Sequence, residues 1–232
     1  MTSAAKIKEY GEKPYLISIC SHSPNIEIYK RSLSKLEGGV EPINVDLAVY
    51  PGHLFRWDYI PHELDRKKVF LFTDTFDVVF QKPIPALSPN RIYVANEREV
   101  FVNNSWWRHM LRHNPQFNML KNEIIYNVGT FACSGAIMDD WVNYIQKHRL
   151  EVNGASCEQL LFNVWLRKPE NIELLTELPD LFASIYANVE KGIAILNEKN
   201  EFINRQGDLY SIVHFNGGTK ALFKEIQKKS TH

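Results

Sequence analysis

The stretch that decides the fold is Val69-Phe70-Leu71-Phe72-Thr73-Asp74-Thr75-Phe76-Asp77-Val78-Val79-Phe80. Its first four residues are apolar, with β-branched and aromatic side chains, and predict a short strand buried on both faces. The strand ends on Asp74 and Asp77, and open α/β sheets bind ligands at the carboxyl ends of their strands. Two carboxylates three residues apart across a turn can converge on one hard cation, which can neutralise a diphosphate. Aspartate is also a common turn residue, so the spacing alone leaves a capped turn equally open.

The composition indicates a soluble globular protein of one domain. The 232 residues are 44% hydrophobic and 23% charged, which is enough for a sizeable core. Lys plus Arg equals Asp plus Glu, at 27 each, so no overall field favours a nucleic-acid partner. No run approaches the ~20 apolar residues of a membrane span, and three cysteines without a CxxC pair favour an intracellular compartment. We expect one domain over 1–232, with 1–13 loose, no membrane span and a cytoplasmic location.

The order of the predicted elements is typical of an α/β sheet. A strand at 15–20, a helix at 26–36 and a strand at 44–50 form a βαβ unit with a nucleotide-sized opening. Neither GxGxxG nor GxxxxGK[ST] is present, so neither a dinucleotide fold nor a P-loop is supported. Further strands are predicted at 91–97, 127–135 and 211–214. A helix with Met138, Trp141 and Ile145 on one face follows the strand at 127–135.

Residues 98–125 predict an irregular excursion over the ligand edge of the sheet. Trp106 and Trp107 are adjacent there, and neighbouring residues of an extended chain point to opposite sides. One ring could therefore stack on a sugar or base while the other packs in the core. For either ring taken alone, the core is the commoner place.

Polar residues also stand at the ends of three other predicted elements. Glu97 ends the strand at 91–97. Ser156-Cys157-Glu158-Gln159 is a capping box, which puts Glu158 in a first helical turn, either beside a ligand or simply offsetting the helix dipole. His214 ends the last strand, and Gly217, Gly218 and Lys220 after it can form an anion-binding turn.

Taken together, these segments resemble the glycosyltransferase domain of the collagen lysyl hydroxylase family, a GT-A fold that uses UDP-sugars with a manganese ion. The matching segments are Phe72-Thr73-Asp74-Thr75-Phe76-Asp77-Val78-Val79, Val94-Ala95-Asn96-Glu97, Asn127-Val128-Gly129-Thr130-Phe131, Glu158-Gln159-Leu160-Leu161-Phe162 and Val213-His214-Phe215-Asn216-Gly217-Gly218-Thr219-Lys220. The chain is also similar to the glycosyltransferase modules that large algal viruses encode to decorate their capsid protein. That similarity implies one module of a longer polypeptide, acting in the host cytoplasm.

The resemblance implies a single GT-A, Rossmann-like domain with a mixed, mostly parallel central sheet flanked by helices. Asp74, Asp77 and His214 would bind Mn²⁺ or Mg²⁺ between the two phosphates of the donor. Glu97 and Glu158 are the candidates for the sugar-side carboxylate, which holds sugar hydroxyls or takes the acceptor proton; Asp139 and Asp140 are weaker ones. The residues expected to contact the donor are Ser21 and His22 at the uracil, Thr75 and Phe76 at the ribose and uracil, and Arg56, Gly217, Gly218 and Lys220 at the phosphates. Trp106 or Trp107 would form the sugar or acceptor platform.

The implied activity is transfer of a hexose or deoxyhexose from a UDP-glucose-like donor to a glycan or protein acceptor. The chain departs from the family pattern: Asn153-Gly154-Ala155-Ser156-Cys157 replaces an acidic run, Val128 and Thr130 stand for serine and glycine, Phe215 for glycine and Gly218 for proline. Because few bases remain, the alternative is a weak or inactive module that binds a nucleotide-sugar or glycan. An aspartyl phosphotransferase fits less well, since it needs DxD and residue 76 is Phe.

Overall fold

The computed structural model describes residues 14–21, 26–36, 42–47, 52–61, 64–154, 157–185, 189 and 192–217. The strands are β1 (Tyr15–Ser21), β2 (Pro42–Leu47), β3 (Val69–Thr73), β4 (Val78–Phe80), β5 (Ile92–Val100), β6 (Ile124–Ser134), β7 (Leu175–Thr176), β8 (Phe182–Ser184), β9 (Ile195–Leu196), β10 (Phe202–Ile203) and β11 (Ile212–His214). The α-helices are α1 (Ile26–Leu33), α2 (Ser105–His113), α3 (Gly135–His148), α4 (Glu158–Leu166) and α5 (Pro169–Ile172). Short 3-10 helices lie at Arg56–Tyr59, Pro115–Leu120 and Arg149–Glu151.

The main sheet is mixed, with the strand order β2-β1-β3-β6-β5-β7. Its parallel pairs are β1 with β2, β1 with β3 and β5 with β7, whereas β6 runs antiparallel to both β3 and β5. The predicted βαβ unit is therefore present, with α1 between two parallel strands. Three parallel pairs out of five confirm the predicted α/β class and the mostly parallel sheet.

The strand β3 is central and buried along its whole length. Phe70 and Phe72 pack into one hydrophobic cluster, which also contains Trp57 and Trp141. Val69 and Leu71 belong to a second cluster. Because successive side chains of a strand point to opposite faces, an unbroken apolar run is what a strand between two cores requires. The prediction from the sequence is confirmed.

A smaller sheet brings β11, the last described strand, beside β4, which follows β3 in the chain. It has the order β4-β11-β8, with β11 antiparallel to β4 and parallel to β8. In this register His214 lies opposite Val78, the residue that follows Asp77. The pairing is what brings the predicted strand-end histidine to the aspartates.

The segment 98–125 is more regular than predicted, because β5 continues to Val100 and α2 follows. Asn104 caps α2 by accepting a hydrogen bond from the Trp107 N–H at 3.1 Å. Trp107, Met110 and Leu111 form the buried face of this helix. Trp107 is packed and Trp106 is exposed, which is one of the two arrangements left open by the sequence, but helical rather than extended geometry separates the rings.

Several other expectations concern the chain as a whole. No described helix is long and apolar enough to cross a membrane. The described cysteine side chains, Cys133 and Cys157, are buried free thiols. A single domain over 1–232 stays a prediction, because 1–13 and 218–232 lie outside the described residues.

Candidate functional site

A cleft of about 580 Å³ opens at the carboxyl end of β3, within the usual size range of ligand sites. Four carboxylates reach it from three parts of the fold. Asp74 and Asp77 stand in the turn between β3 and β4, Glu97 lies on β5, and Glu158 begins α4. His214 from β11 also lines the cleft. The sequence predicted all five of these side chains as site residues, and the structure brings them to one cavity.

Asp74, Asp77 and His214 converge at the floor of the cleft. The Nε2 atom of His214 lies 3.5 Å from an Asp74 carboxylate oxygen and 3.4 Å from one of Asp77. One ligand atom from each residue can be chosen so that all three lie within 4.8 Å of one another. Backbone contacts fix the two aspartates: the Asp74 N–H donates to the Gly129 carbonyl, and the Asp77 carbonyl accepts from the Phe215 N–H, both at 2.7 Å.

Burial and charge act in opposite directions on His214. Burial lowers the pKa of its imidazole, but the carboxylates of Asp77 and Asp74 favour the charged form and outweigh burial. The pKa is therefore raised above its ordinary value of 6.5. A positive charge is thus favoured where the imidazole meets the two aspartates.

The backbone of β6 passes directly beneath this group at Gly129. A Cβ atom there would lie 2.4 Å from the His214 ring and 2.5 Å from an Asp74 oxygen. Only glycine leaves room for both side chains at this position. Glycine in a strand often marks a close approach of the backbone to another group, and here the groups approached are the protein's own aspartate and histidine.

Glu158 is buried and held by a cation. The Arg56 guanidinium donates to both of its oxygens, at 2.7 and 3.2 Å, and the Trp57 indole N–H donates at 2.7 Å. Arg56 also donates to an Asp74 oxygen and stacks on the Phe72 ring at 4.9 Å. The buried Arg56 guanidinium therefore links the group of Asp74, Asp77 and His214 to Glu158 at the start of α4.

Glu97 is equally buried, but its hydrogen-bond partners are neutral amides. One of its oxygens accepts from the Asn127 amide at 2.8 Å and from the amides of Gln159 and Asn216 at 3.2 Å each. Burial raises the pKa of Glu97, and the Asn127 and Gln159 hydrogen bonds and the nearby His214 offset this only in part. These three amides were not predicted as site residues; their only sequence signal was membership of the segments that resemble a known family.

Comparison with known proteins gives the fold a name. No protein-family model and no curated protein sequence matches the chain. The structure of galactosyltransferase LgtC, in complex with donor and acceptor sugar analogues, aligns over 92% of this chain and 95% of its own, with 9% identity and a TM-score of 0.51. A glycosyltransferase involved in the glycosylation of the major capsid of PBCV-1 aligns over 92% and 100%, with 14% identity and a TM-score of 0.53. The bifunctional glycosyltransferase WbbM aligns over 89% of this chain and 46% of its own, with 9% identity and a TM-score of 0.55. The chain has a GT-A fold.

In this GT-A fold the two tryptophans differ in access. Trp106 is 54% exposed at the rim of the cleft, whereas Trp107 is 8% exposed and meets Phe101 edge to face. Trp106 is thus the ring available to a ligand. Its relation to a sugar or acceptor stays a prediction.

The remaining predicted donor residues fall into three groups: those away from the cleft lining, one that lines it, and those outside the described residues. Thr75 is buried and its hydroxyl donates to the Ile19 carbonyl at 3.4 Å, and Phe76 is half-buried. Neither is among the residues lining the cleft, whereas Gly217 is, with a φ of 62°. The side chain of Ser21, and all of His22, Gly218 and Lys220, lie outside the described residues.

The two weaker candidates on α3 have other partners. Asp139 pairs with Arg66 at 3.1 Å, and Asp140 accepts from the Trp165 indole N–H at 2.7 Å. Neither lines the cleft. Asp139 and Asp140 therefore stay the weaker candidates.

Proposed function

We propose that this protein is a metal-dependent glycosyltransferase. It moves a hexose or deoxyhexose from a UDP-sugar, of the UDP-glucose type, to a glycan or glycoprotein acceptor. The observation that carries the proposal is the convergence of Asp74, Asp77 and His214 within 4.8 Å, at the floor of the cleft in a GT-A fold.

The three converging side chains suit Mn²⁺, with Mg²⁺ as the second choice. Carboxylate oxygens suit both ions, whereas an imidazole nitrogen favours a transition metal. Gly129 supports this, since any larger residue would fill the space between Asp74 and His214. A bound divalent cation would neutralise charge on the diphosphate of the leaving UDP.

Donor binding is assigned to the residues around this cluster. Ser21 and His22 would edge the uracil, and Thr75 and Phe76 would lie against the ribose and uracil. Gly217, Gly218 and Lys220 would bind the diphosphate through turn amides and one ammonium group. Arg56 would add its positive charge on the phosphate side, since it already contacts Asp74.

The two glutamates take different parts on the sugar side. Glu158 is held by Arg56 and Trp57, which suits a fixed carboxylate that orients sugar hydroxyls. Glu97, whose pKa burial raises, suits proton transfer from the acceptor, because a general base works best with a pKa near the operating pH. Trp106 would serve as the platform for the sugar or acceptor.

We further expect the protein to act in the cytoplasm, of a host cell if a virus encodes it, and as one module of a longer polypeptide. Its partners would be the UDP-sugar and the acceptor.

The deciding experiment is a screen of UDP-sugars for Mn²⁺-dependent release of UDP. We expect release with at least one donor, and its loss by at least about 10³-fold in Asp77→Ala, because a metal ligand supplies several kcal/mol of charge stabilisation. The variant keeps the Asp77 backbone carbonyl, which accepts from the Phe215 N–H, and we expect it to stay folded. Asp65→Ala is the matched control, since Asp65 is exposed and precedes β3 at the end away from the cleft.

Thermal unfolding separates transfer from binding alone. UDP with Mn²⁺ should raise the melting temperature more than either alone, because ligands of the native state stabilise it by mass action. The same shift in EDTA would contradict the metal site. A shift without release from any donor would favour a module that binds nucleotide-sugar without catalysis. Full activity of Asp77→Ala in saturating Mn²⁺ would overturn the assignment of the ligands.

A further inference from the structure

We infer that Asn127 is a positioning residue: it fixes which ring nitrogen of His214 faces the metal. The inference rests on the proposed metal dependence and adds a residue that the ligand set does not contain. Asn127 lies on β6, is 4% exposed, and bridges His214 to Glu97.

One hydrogen-bond donor and one hydrogen-bond acceptor set the orientation of the Asn127 amide. The Gly129 backbone N–H can only donate, so the Asn127 atom at 2.7 Å from it is the oxygen. On the other side, a Glu97 carboxyl oxygen lies 2.8 Å from the Asn127 nitrogen and also accepts from two further amides. A flipped amide would put two acceptors face to face and leave the Gly129 N–H opposite a donor. The amide therefore has one orientation.

That orientation determines the protonation of His214. The Asn127 oxygen lies 3.1 Å from Nδ1 of the imidazole, and an amide oxygen only accepts. Nδ1 must therefore carry a hydrogen. A neutral imidazole has one N–H and one lone pair, so the lone pair is on Nε2.

The lone pair of Nε2 points at the two aspartates. Nε2 lies 3.4 Å from an Asp77 oxygen and 3.5 Å from an Asp74 oxygen. Three lone-pair donors facing one another repel unless a cation lies between them: a proton on Nε2 in the metal-free protein, or a metal ion that replaces that proton. The hydrogen bonds of Asn127 with Glu97 and with His214 thus favour the neutral tautomer with its hydrogen on Nδ1. Only that tautomer can bind a metal through Nε2. Second partners of metal-bound histidines commonly act in this way, and their loss costs about 10–100-fold in metal affinity.

Binding of Mn²⁺ alone, followed by the EPR signal of the free ion, tests the role without any sugar transfer. Asn127→Leu removes the acceptor and should raise the Kd for Mn²⁺ by about 10–100-fold. Asn127→Asp keeps an oxygen facing both Gly129 and His214, and a proton shared between the new acid and Glu97 avoids two adjacent charges, so its Kd should stay within about threefold of wild type.

Asn114→Leu is the matched control. Asn114 is a fully buried asparagine that donates to the Met110 carbonyl at 2.9 Å and accepts from the Asn153 N–H at 2.7 Å, without lining the cleft. Its loss should lower the melting temperature and leave the Kd for Mn²⁺ unchanged. A loosened structure would instead weaken Mn²⁺ binding in all three variants.

Long-range ¹H–¹⁵N spectra of the Cd²⁺-loaded wild-type protein give a second readout that needs no variant. We expect the proton of His214 on Nδ1 and the metal on Nε2. Metal on Nδ1, or an unchanged Kd in Asn127→Leu, would overturn the inference while leaving the metal site intact. A wild-type protein that does not bind Mn²⁺ would overturn both the inference and the proposed function.

Discussion

Glu97 and Glu158 are both 3% exposed and both line the cleft, yet they are stabilised in different ways. Glu158 receives two hydrogen bonds from the buried guanidinium of Arg56, whereas Glu97 receives three from neutral amides. Burial raises the pKa of Glu97, and its neutral amide partners offset this only in part, whereas Glu158 faces the charge of Arg56 directly. Burial alone therefore does not assign a role to an acid; the chemistry of its partners does.

The largest effect is expected on transfer, from Glu97→Gln. Glutamine keeps a carbonyl oxygen for the three amides, so the free energy of unfolding should change by less than about 1 kcal/mol. The loss of a proton-accepting carboxylate should slow UDP-sugar turnover by about 10²–10⁴-fold. Turnover rates and urea unfolding measured on the same preparation check both parts. An unchanged rate would exclude Glu97 as the reacting acid.

Glu158→Ala should instead act on stability. It leaves the Arg56 guanidinium buried without its main partner, which typically costs about 3–5 kcal/mol of unfolding free energy. Urea denaturation measures the loss. Glu123→Ala is the control: Glu123 pairs with Arg167 at the surface, and such pairs contribute at most about 1 kcal/mol. Equal losses of unfolding free energy in the two variants would mean that the buried ion pair contributes no more to stability than the surface pair.

Arg56→Lys tests whether the shape of the guanidinium matters as well as its charge. Lysine cannot reproduce the paired hydrogen bonds to Glu158 together with the contact to Asp74. The free energy of unfolding should fall by about 1.5–3 kcal/mol, the usual contribution of a hydrogen bond to a charged group. A variant as stable as wild type in urea would show that charge alone suffices.

The smallest effect is expected in the dependence of stability on pH. The pKa of Glu97 is raised by burial above 4.5, and that of His214 is raised by the aspartates, against burial, above 6.5. Each group therefore stabilises the fold below its ordinary pKa, and this contribution is lost as the pH rises through the raised value. Urea unfolding of the metal-free protein across pH should give a flatter profile for Glu97→Gln at the acid end. His214→Gln should flatten the dependence of the unfolding free energy on pH nearer neutrality. If either variant changed with pH in the same way as the wild type does, the raised pKa of that group would be contradicted.

The sequence predicted the local elements better than the contacts between them. The strand β3, the first βαβ unit and the start of α4 at Glu158 were predicted correctly, because apolar periodicity and helix starts are local signals. The helix α2 was missed, since the paired tryptophans were interpreted in an extended chain and the cap at Asn104 was overlooked. The amides around Glu97 lie in the family-like segments, and Arg56 was expected at the phosphates, but nothing in the sequence indicated that these residues would be the partners of Glu97 and Glu158.

By itself, the sequence determined that a strand buried on both faces would end in two aspartates, because an apolar run and the polar residues after it depend only on neighbours in the chain. Only the tertiary structure decided what those aspartates meet. The pairing of β11 with β4 brings His214 to them, the pairing of β6 with β3 brings the Gly129 backbone beneath them, and the helix at 56–59 brings Arg56 between Asp74 and Glu158. A shift of one residue in either pairing would turn these side chains to the other face of the sheet, so strand register, and not local sequence, sets the chemistry of the site.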